Sequence, residues 1–429
     1  MEKVRTLIVG AGITGLATAA ALSEHGDLDY LIIEADREIG GYCKTIKKNG
    51  FVWDYSGHFF HFKHPEIEVW LRARMVGQRI RNIEKKSFIA YQAQLIDFPF
   101  QKNIHQLPKK DFIDCLYDLY FARAPRPWLG TSDPAPQAED NFKAMLYAHF
   151  GQSIADKFLI PYNEKLYATD LSTLDTNAMG RFFPKADLTD IIRNMKHADN
   201  SSYNAFFTYP EGGAIEYVKA MASAVREGGV ALGERLVSVD PAAKVATTNM
   251  REIAFERLVS SVPFERLAVL SGVKHDSHVF SWNQVLVFNF GFDKKGQKNV
   301  HWIYFPDRSL AFYRVGFYDN IFDADRLSLY VELGYAKDAT IDVATARAKV
   351  LADLERAGIV DGHRLVAEHS VIMNPAYVHI TQRSIAECAR LAAVLRDRGI
   401  YSIGRYGGWT YCSIEDNIIE ARKLAASFG

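Results

Sequence analysis

An α/β fold is predicted from three features of this 429-residue chain. A short strand runs straight into a glycine-rich turn and a helix near the N-terminus. A helix-rich stretch with a proline cluster follows, and after it a series of aromatic, alternating strands. Together they predict a Rossmann-like dinucleotide-binding domain with a helical insertion domain and an antiparallel β-sheet domain. The expected division gives 1–100, 205–270 and 385–429 to the nucleotide domain, 101–204 to the insertion and 271–384 to the sheet domain.

The first feature is Thr6-Leu-Ile-Val-Gly-Ala-Gly-Ile-Thr-Gly-Leu16. Leu7 to Val9 read as a buried strand, and Leu16 to Leu22 as an alanine-rich helix. Gly10, Gly12 and Gly15 between them have G-x-G-x-x-G spacing. They permit a tight turn, backbone approach to a pyrophosphate, and close helix–strand packing. The helix N-terminus offers free N–H groups to the phosphates. Tyr30 to Ile33 form a second strand ending in Glu34, an acid about 20 residues past the last glycine, placed to bond a ribose hydroxyl. Glu34 is followed by Arg37 and by Gly40-Gly41. That glycine pair resembles the extended FAD fingerprint of amine oxidase-type flavoproteins, and it leaves the chain free to pass close to a cofactor.

Composition excludes several classes. The 51 basic and 51 acidic residues balance, so no net field favours nucleic acid or a membrane surface. No apolar run reaches the length of a membrane span. The first strand begins almost at once, leaving no room for a signal peptide. Cys43, Cys115, Cys388 and Cys412 are scattered, with no metal spacing, and read as reduced thiols of a cytoplasmic protein.

Further along, Phe51 to Phe60 are dense in aromatics around Gly57-His58, which suits either a backbone approach to a flavin ring or an aromatic core strand. Pro65 to Arg74 read as a helix and Phe88 to Ile96 as strands. In Phe98-Pro-Phe-Gln-Lys-Asn-Ile104, Phe98, Phe100 and Gln101 could stack on and hydrogen-bond a base, or form an edge segment around Pro99. Leu107 to Ala122 predict a helix, Pro125 to Pro136 an exposed linker, and Asn141 to Phe158 a helix broken at Gly151. A further helix is expected to end near Met179-Gly-Arg-Phe182. Thr208 to Gly213 predict a turn into a helix over Ala214 to Glu227. Val230 to Val239 predict one strand, Ala243 to Leu258 a hairpin around Asn249, and Leu258 to Val262 another strand. Ser281 to Phe292, His301 to Phe305, Leu310 to Phe317 and Leu327 to Leu333 give the sheet. Ala344 to Ala357 predict a helix. The chain closes with strand Tyr401 to Ile403, the turn Gly404-Arg-Tyr-Gly-Gly-Trp409 and helix Ile414 to Ala426. This repeats the opening design and brings a second helix N-terminus to the cofactor.

These motifs resemble, in order and over nearly the whole chain, the UDP-galactopyranose mutase family, flavoproteins with an amine oxidase-like fold. The resemblance lies in Ser56-Gly-His58, Phe98 to Ile104, Pro161-Tyr-Asn-Glu-Lys165, Asn204 to Pro210, His301 to Pro306, Phe312-Tyr-Arg314 and Gly404 to Tyr411. It implies that Arg181 and Arg314 grip the sugar-nucleotide pyrophosphate, a task suited to guanidinium forks. For either arginine alone, an ordinary ion pair is the competing reading. The resemblance puts Tyr411 on a phosphate, and Phe98, Phe100 and Gln101 at the uracil. Asn163, Asn204 and Tyr377 fall near the nucleotide or sugar, and Tyr167 beside the sugar. Gly57 and His58 fall beside the flavin. Val237, Arg405, Asp416 and Asn417 join Gly10, Gly12, Gly15, Glu34, Arg37, Gly41 and Gly404 in holding FAD. The chain departs from the family at Tyr167, where tryptophan is usual, at Ser413, where bacterial members have aspartate, and at Ile321, where a tyrosine is expected. These changes gather at the sugar end and leave the sugar open.

The resemblance implies a UDP-sugar mutase in which N5 of reduced FAD attacks the anomeric carbon and displaces UDP. The ring recloses at another hydroxyl and UDP returns, with no net redox change. An external reductant such as NAD(P)H would keep the flavin reduced. No metal, nucleic acid or membrane span is expected, and a homodimer is compatible. The insertion, with its proline-rich linker, is expected to close over ligand. The rival reading is an FAD-dependent oxidase or dehydrogenase of the amine oxidase or protoporphyrinogen oxidase type, which makes a net two-electron change.

Overall fold

Close packing of a helix onto a strand at Gly15 sets the first layer. A Cβ added at Gly15 would lie 1.9 Å from the Gly10 carbonyl oxygen and 3.3 Å from Ile8 Cγ2. Only glycine lets the Ile13–Glu24 helix sit this near the Glu2–Val9 strand. The computed structural model describes residues 1–123, 140–183, 187–197, 199 and 205–429. The predicted linker over Pro125 to Pro136 lies outside them.

Among the described residues, one sheet runs in the order Leu236–Asp240, Val245–Thr248, Glu252–Ser260, Glu2–Val9, Tyr30–Glu34, Val230–Leu232. The Ile400–Ser402 strand joins it beside Leu258–Ser260. The central pairings, Glu2–Val9 with Glu252–Ser260 and with Tyr30–Glu34, are parallel. The Ile13–Glu24 and Ile414–Ala426 helices pack against each other beside this sheet.

A second sheet runs Leu365–Met373, Asn283–Phe292, Ser328–Ala336, Arg314–Phe317, Trp302–Tyr304, Ser87–Tyr91, Gln94–Asp97. Its pairings are antiparallel except Trp302–Tyr304 with Ser87–Tyr91, which is parallel. All ten residues of Asn283–Phe292 are buried, as expected of a strand covered on both faces. The helix-rich segment contributes Lys109–Arg123, Phe142–Ile154 and Ile160–Tyr167. Its Phe142, Leu146, Ile154 and Leu166 share one core with Trp302, Tyr304 and Tyr330 of the second sheet. No described helix is long and apolar enough to cross a membrane, and the four cysteines are free thiols.

The chain differs from its sequence-based reading in several places. The helix expected to end near Met179–Phe182 is absent, and 3₁₀ turns form at Leu171–Thr173 and Gly180–Phe182. Asp170 and Asp175 accept the amides of Ser172 and Asn177 at 2.9 and 2.8 Å, local bonds that compete with helix formation. Thr208 to Gly213 begins as strand Phe206–Pro210, and the following helix is short, Ile215–Ala222. Val230 to Val239 splits into two strands at Gly233, whose φ is 71°. Leu258 to Val262 is not a separate strand, since Glu252–Ser260 is continuous. The break at Gly151 is present (φ 73°, ψ 169°), and beyond it Asp118 accepts both Ser153 N and Ser153 Oγ. The Leu365–Met373 strand and the Gln382–Arg396 helix have no counterpart among the elements expected from sequence.

Gly15→Ala is expected to force the helix from the strand and lower unfolding free energy by about 1–3 kcal/mol. Urea denaturation of the two proteins checks this.

Candidate functional site

A cleft of about 730 Å³ opens where the two sheets meet. At one end it is lined by Gly10, Gly12, Glu34 and Gly41, all on the βαβ unit and the loop after it. Gly12 and Gly41 face each other, with only 3.5 Å between a Cβ built on Gly41 and the Gly12 Cα, so the floor is bare backbone. Glu34 accepts the Ala11 amide at 2.7 Å and the Asp36 amide at 2.8 Å. Lys44 lines the same end, bonded to Asp36 and 3.3 Å from Glu38.

The second helix N-terminus arrives as the closing motif requires. Ser413 caps the Ile414–Ala426 helix in a reciprocal pair with Asp416, whose carboxylate accepts Ser413 N and Oγ at 2.8 Å. Asn417 Oδ1 accepts Thr14 Oγ1 and the Arg405 amide, both at 2.9 Å, fastening the two helices together. Ser413 and Asn417 line the cleft. Gly15 and Gly404 are buried and do not line it, Asp416 is engaged in the cap, and Arg37 is exposed. Val237 is 50% exposed, and its neighbour Leu236 lines the cleft in its place.

The other end is a wall of tyrosines around two arginines. Tyr377 and Tyr411 stack with centroids 5.8 Å apart, and the Arg405 guanidinium lies 4.6 Å from the Tyr411 centroid and 5.2 Å from that of Tyr377. Arg405 donates to the Cys412 carbonyl at 3.2 Å and has no carboxylate within 4 Å among the described residues. Arg314 also lines the cleft, but its Nε and Nη2 are held by Glu332 at 2.8 Å each. The ion-pair reading of Arg314 is therefore present together with its cleft position. Glu332 holds the guanidinium charge well above its usual range against the opposing effect of burial.

His58 lies at the cleft beside Gly57, its Nδ1 3.1 Å from Ser56 O, so Nδ1 carries the hydrogen and Nε2 is the acceptor. Burial pushes its pKa down to about 4, with the Arg405 charge adding to the effect, and the ring is neutral at pH 7.

Several expected ligand residues stand back from the opening. Phe100 and Gln101 are 0% and 1% exposed, with Phe100 stacked on Phe158 at 5.1 Å. Both belong to the core and have no free face for a base. Phe98 stands behind Tyr304, a cleft residue, with ring centroids 5.2 Å apart. Asn163 and Tyr167 are buried behind the wall, and Asn163 Oδ1 and the Tyr167 hydroxyl have no hydrogen-bond partner among the described residues. Tyr167 meets Tyr377 edge-on at 5.9 Å. Asn204 and the side chain of Arg181 lie outside the described residues. Phe182, next to Arg181, lines the cleft 5.1 Å from Tyr411. Ile321 is core.

Sequence reasoning missed Glu332, Lys44, Trp302 and Tyr330. Glu332 had a signal: a lone acid within the apolar run Leu327 to Leu333, where a buried charge needs a partner. Among the described residues no group of three metal-ligating side chains comes together.

The lowered His58 pKa has a defined sign. The folded value lies below the unfolded value of 6.5, so the contribution is complete above pH 6.5 and is lost as pH falls toward 4. Between pH 7.5 and pH 5, wild type should lose about 2 kcal/mol more stability than His58→Asn. Urea denaturation at both pH values measures it.

The comparisons with known proteins bear on the whole fold. A family model for an NAD(P)-binding Rossmann-like domain matches residues 8–73. A structure of reduced UDP-galactopyranose mutase superposes with a TM-score of 0.89 at 23% identity, covering 100% of this chain and 94% of that one. A putative protoporphyrinogen oxidase from Exiguobacterium sp. 255-15 superposes with a TM-score of 0.76 at 16% identity, covering 100% and 98%. Protoporphyrinogen oxidase 2 of Arabidopsis thaliana is 26% identical over 187 residues, 42% of this chain and 35% of that protein. The chain thus matches about a third of the length of that curated relative. The superpositions show that this chain has the fold of UDP-galactopyranose mutase, with a Rossmann-like dinucleotide-binding domain.

Proposed function

We propose that the chain is a flavin-dependent mutase that interconverts the pyranose and furanose forms of a UDP-linked sugar. The observation that carries this reading is one cleft with two anion-handling ends. A bare glycine floor with Glu34 and a helix N-terminus lies on one side, and Arg314 and Arg405, the latter with no carboxylate within 4 Å among the described residues, lie among tyrosines on the other.

FAD fits the first end, because the Gly12 and Gly41 backbones leave room for a pyrophosphate that side chains would fill. Glu34 would turn from the Ala11 amide to a ribose hydroxyl. The Ser413-capped helix supplies a second positive dipole end. Bound in its reduced form, the flavin would supply a nucleophilic N5, and a reductant such as NAD(P)H would keep it reduced. The protein's own work is then orientation and charge. Arg314 would hold the departing diphosphate through its remaining Nη1 edge. Arg405 would balance charge between cofactor and substrate, and the Arg181 guanidinium is proposed to join them. Tyr377 and Tyr411 would form the platform that keeps the sugar in place. His58, neutral and presenting Nε2, would accept a hydrogen bond and not contribute a cation.

The second reading, a flavin oxidase or dehydrogenase, draws on the Arabidopsis relative. The two differ in electron balance, and fold does not decide between them. Incubation of a UDP-sugar with reduced protein is expected to give an isomer of equal mass, and oxidised protein to give none. A net two-electron change in an unphosphorylated substrate would favour the oxidase. Arg314→Lys, which keeps the charge and loses the fork, should lower kcat/KM on the order of 10- to 100-fold with FAD content intact.

A further inference from the structure

Lys165 lies outside the cleft, on the Ile160–Tyr167 helix. Its ammonium donates to the carbonyls of Phe305 at 2.9 Å, of Asp307 at 2.8 Å and of Phe312. It has no carboxylate within 4 Å among the described residues. An ammonium has three donors and here finds three backbone acceptors, which satisfies it without a counter-ion.

All three carbonyls belong to one connection, the turn between the Trp302–Tyr304 and Arg314–Phe317 strands. Trp302, Tyr304 and Arg314 at the two ends of that turn line the cleft. The turn is closed a second time by Phe305 N donating to Tyr313 O at 2.8 Å. On its other side the Lys165 backbone presses on the Ser328–Ala336 strand. A Cβ on Gly334 would lie 2.1 Å from the Lys165 carbonyl oxygen. That strand carries Glu332, the partner of Arg314. Lys165 therefore touches both elements that hold the Arg314–Glu332 pair and neither member of it.

We propose that Lys165 is a positioning residue: by gathering the carbonyls of Phe305, Asp307 and Phe312 it fixes the turn that aims Arg314 into the cleft. This rests on the reading of Arg314 as a holder of diphosphate. The requirement is for three donors converging at one point. Lysine meets it. Arginine keeps the charge, but its planar fork does not converge on three carbonyls placed around one atom. Methionine keeps the stem and loses the donors. The Glu164–Arg308 and Glu164–Lys143 contacts beside it are more exposed, and surface pairs of this kind contribute little.

The test is a cycle of Lys165→Met, Lys165→Arg and Arg314→Lys in the full chain, read by calorimetric titration with UDP and by amide hydrogen exchange over 305–313. Both lysine variants are expected to weaken UDP about tenfold and to speed exchange at Phe305, with flavin content unchanged. In the Arg314→Lys background, Lys165→Met should have little further effect on UDP, the non-additivity expected of residues acting through each other. Additive losses, rescue by Lys165→Arg, or unchanged exchange over 305–313 would overturn the proposal. If wild type does not bind UDP, the diphosphate reading fails by itself, and exchange over 305–313 still decides whether Lys165 orders the turn. If Lys165→Met does not fold, Lys165→Arg carries both readouts.

Discussion

The Arg314–Glu332 pair is the constraint on which the functional half of the molecule depends. The two residues are direct partners across adjacent antiparallel strands, so register alone brings them together. Glu332 is 1% exposed, and a carboxylate in that position is tolerable only with a bidentate guanidinium and further donors. Ser56 Oγ supplies one such donor, from the segment that also carries Gly57 and His58. Through the Ser56–Glu332 hydrogen bond the pair ties the N-terminal segment to the second sheet at the place where the cleft opens. Removing either charge would leave the other buried and unpaired, a change that costs several kcal/mol in comparable proteins.

The same geometry explains how the two ends of the cleft divide their work. The Rossmann end handles charge with backbone, through bare glycine floors and two helix N-termini tied by Asn417. The opposite wall handles it with guanidinium groups set among aromatic faces, Arg314 from the second sheet and Arg405 from the closing motif of the Rossmann domain, where low polarity strengthens each contact with an anion. Between them stands His58, kept neutral by burial. A site of this kind is suited to holding a charged leaving group and a ring in register, and it makes small demands on side-chain proton transfer. Solved structures with this fold include a mutase and a putative oxidase, so the fold by itself does not decide between the two chemistries.

What could be read in advance follows from how local each feature is. Gly10, Gly12, Gly15 and Glu34 lie within one βαβ unit, so local spacing reveals them. Phe100 and Gln101 show the opposite case. Phe98 is half-buried and Pro99 buried, and Phe158, more than fifty residues away, stacks on Phe100 at 5.1 Å, a contact that the local motif does not encode. The Ser87–Tyr91 strand pairs in parallel with Trp302–Tyr304, a contact across more than two hundred residues that strand periodicity does not encode. Glu332 announced that it needed a partner without naming it. The expected helix before Phe182 failed because Asp170 and Asp175 turn their side chains onto the backbone, a competition that apolar spacing does not register.

In the proposed function, one cleft holds a flavin and, beside it, a diphosphate. The most direct test is a titration of the FAD-loaded protein with UDP, UMP and uridine, followed by flavin absorbance. UDP is expected to perturb the flavin spectrum and to bind at least tenfold tighter than UMP, with uridine weaker still. Equal affinities for UDP and uridine, or binding of UDP without any change in the flavin spectrum, would contradict this reading.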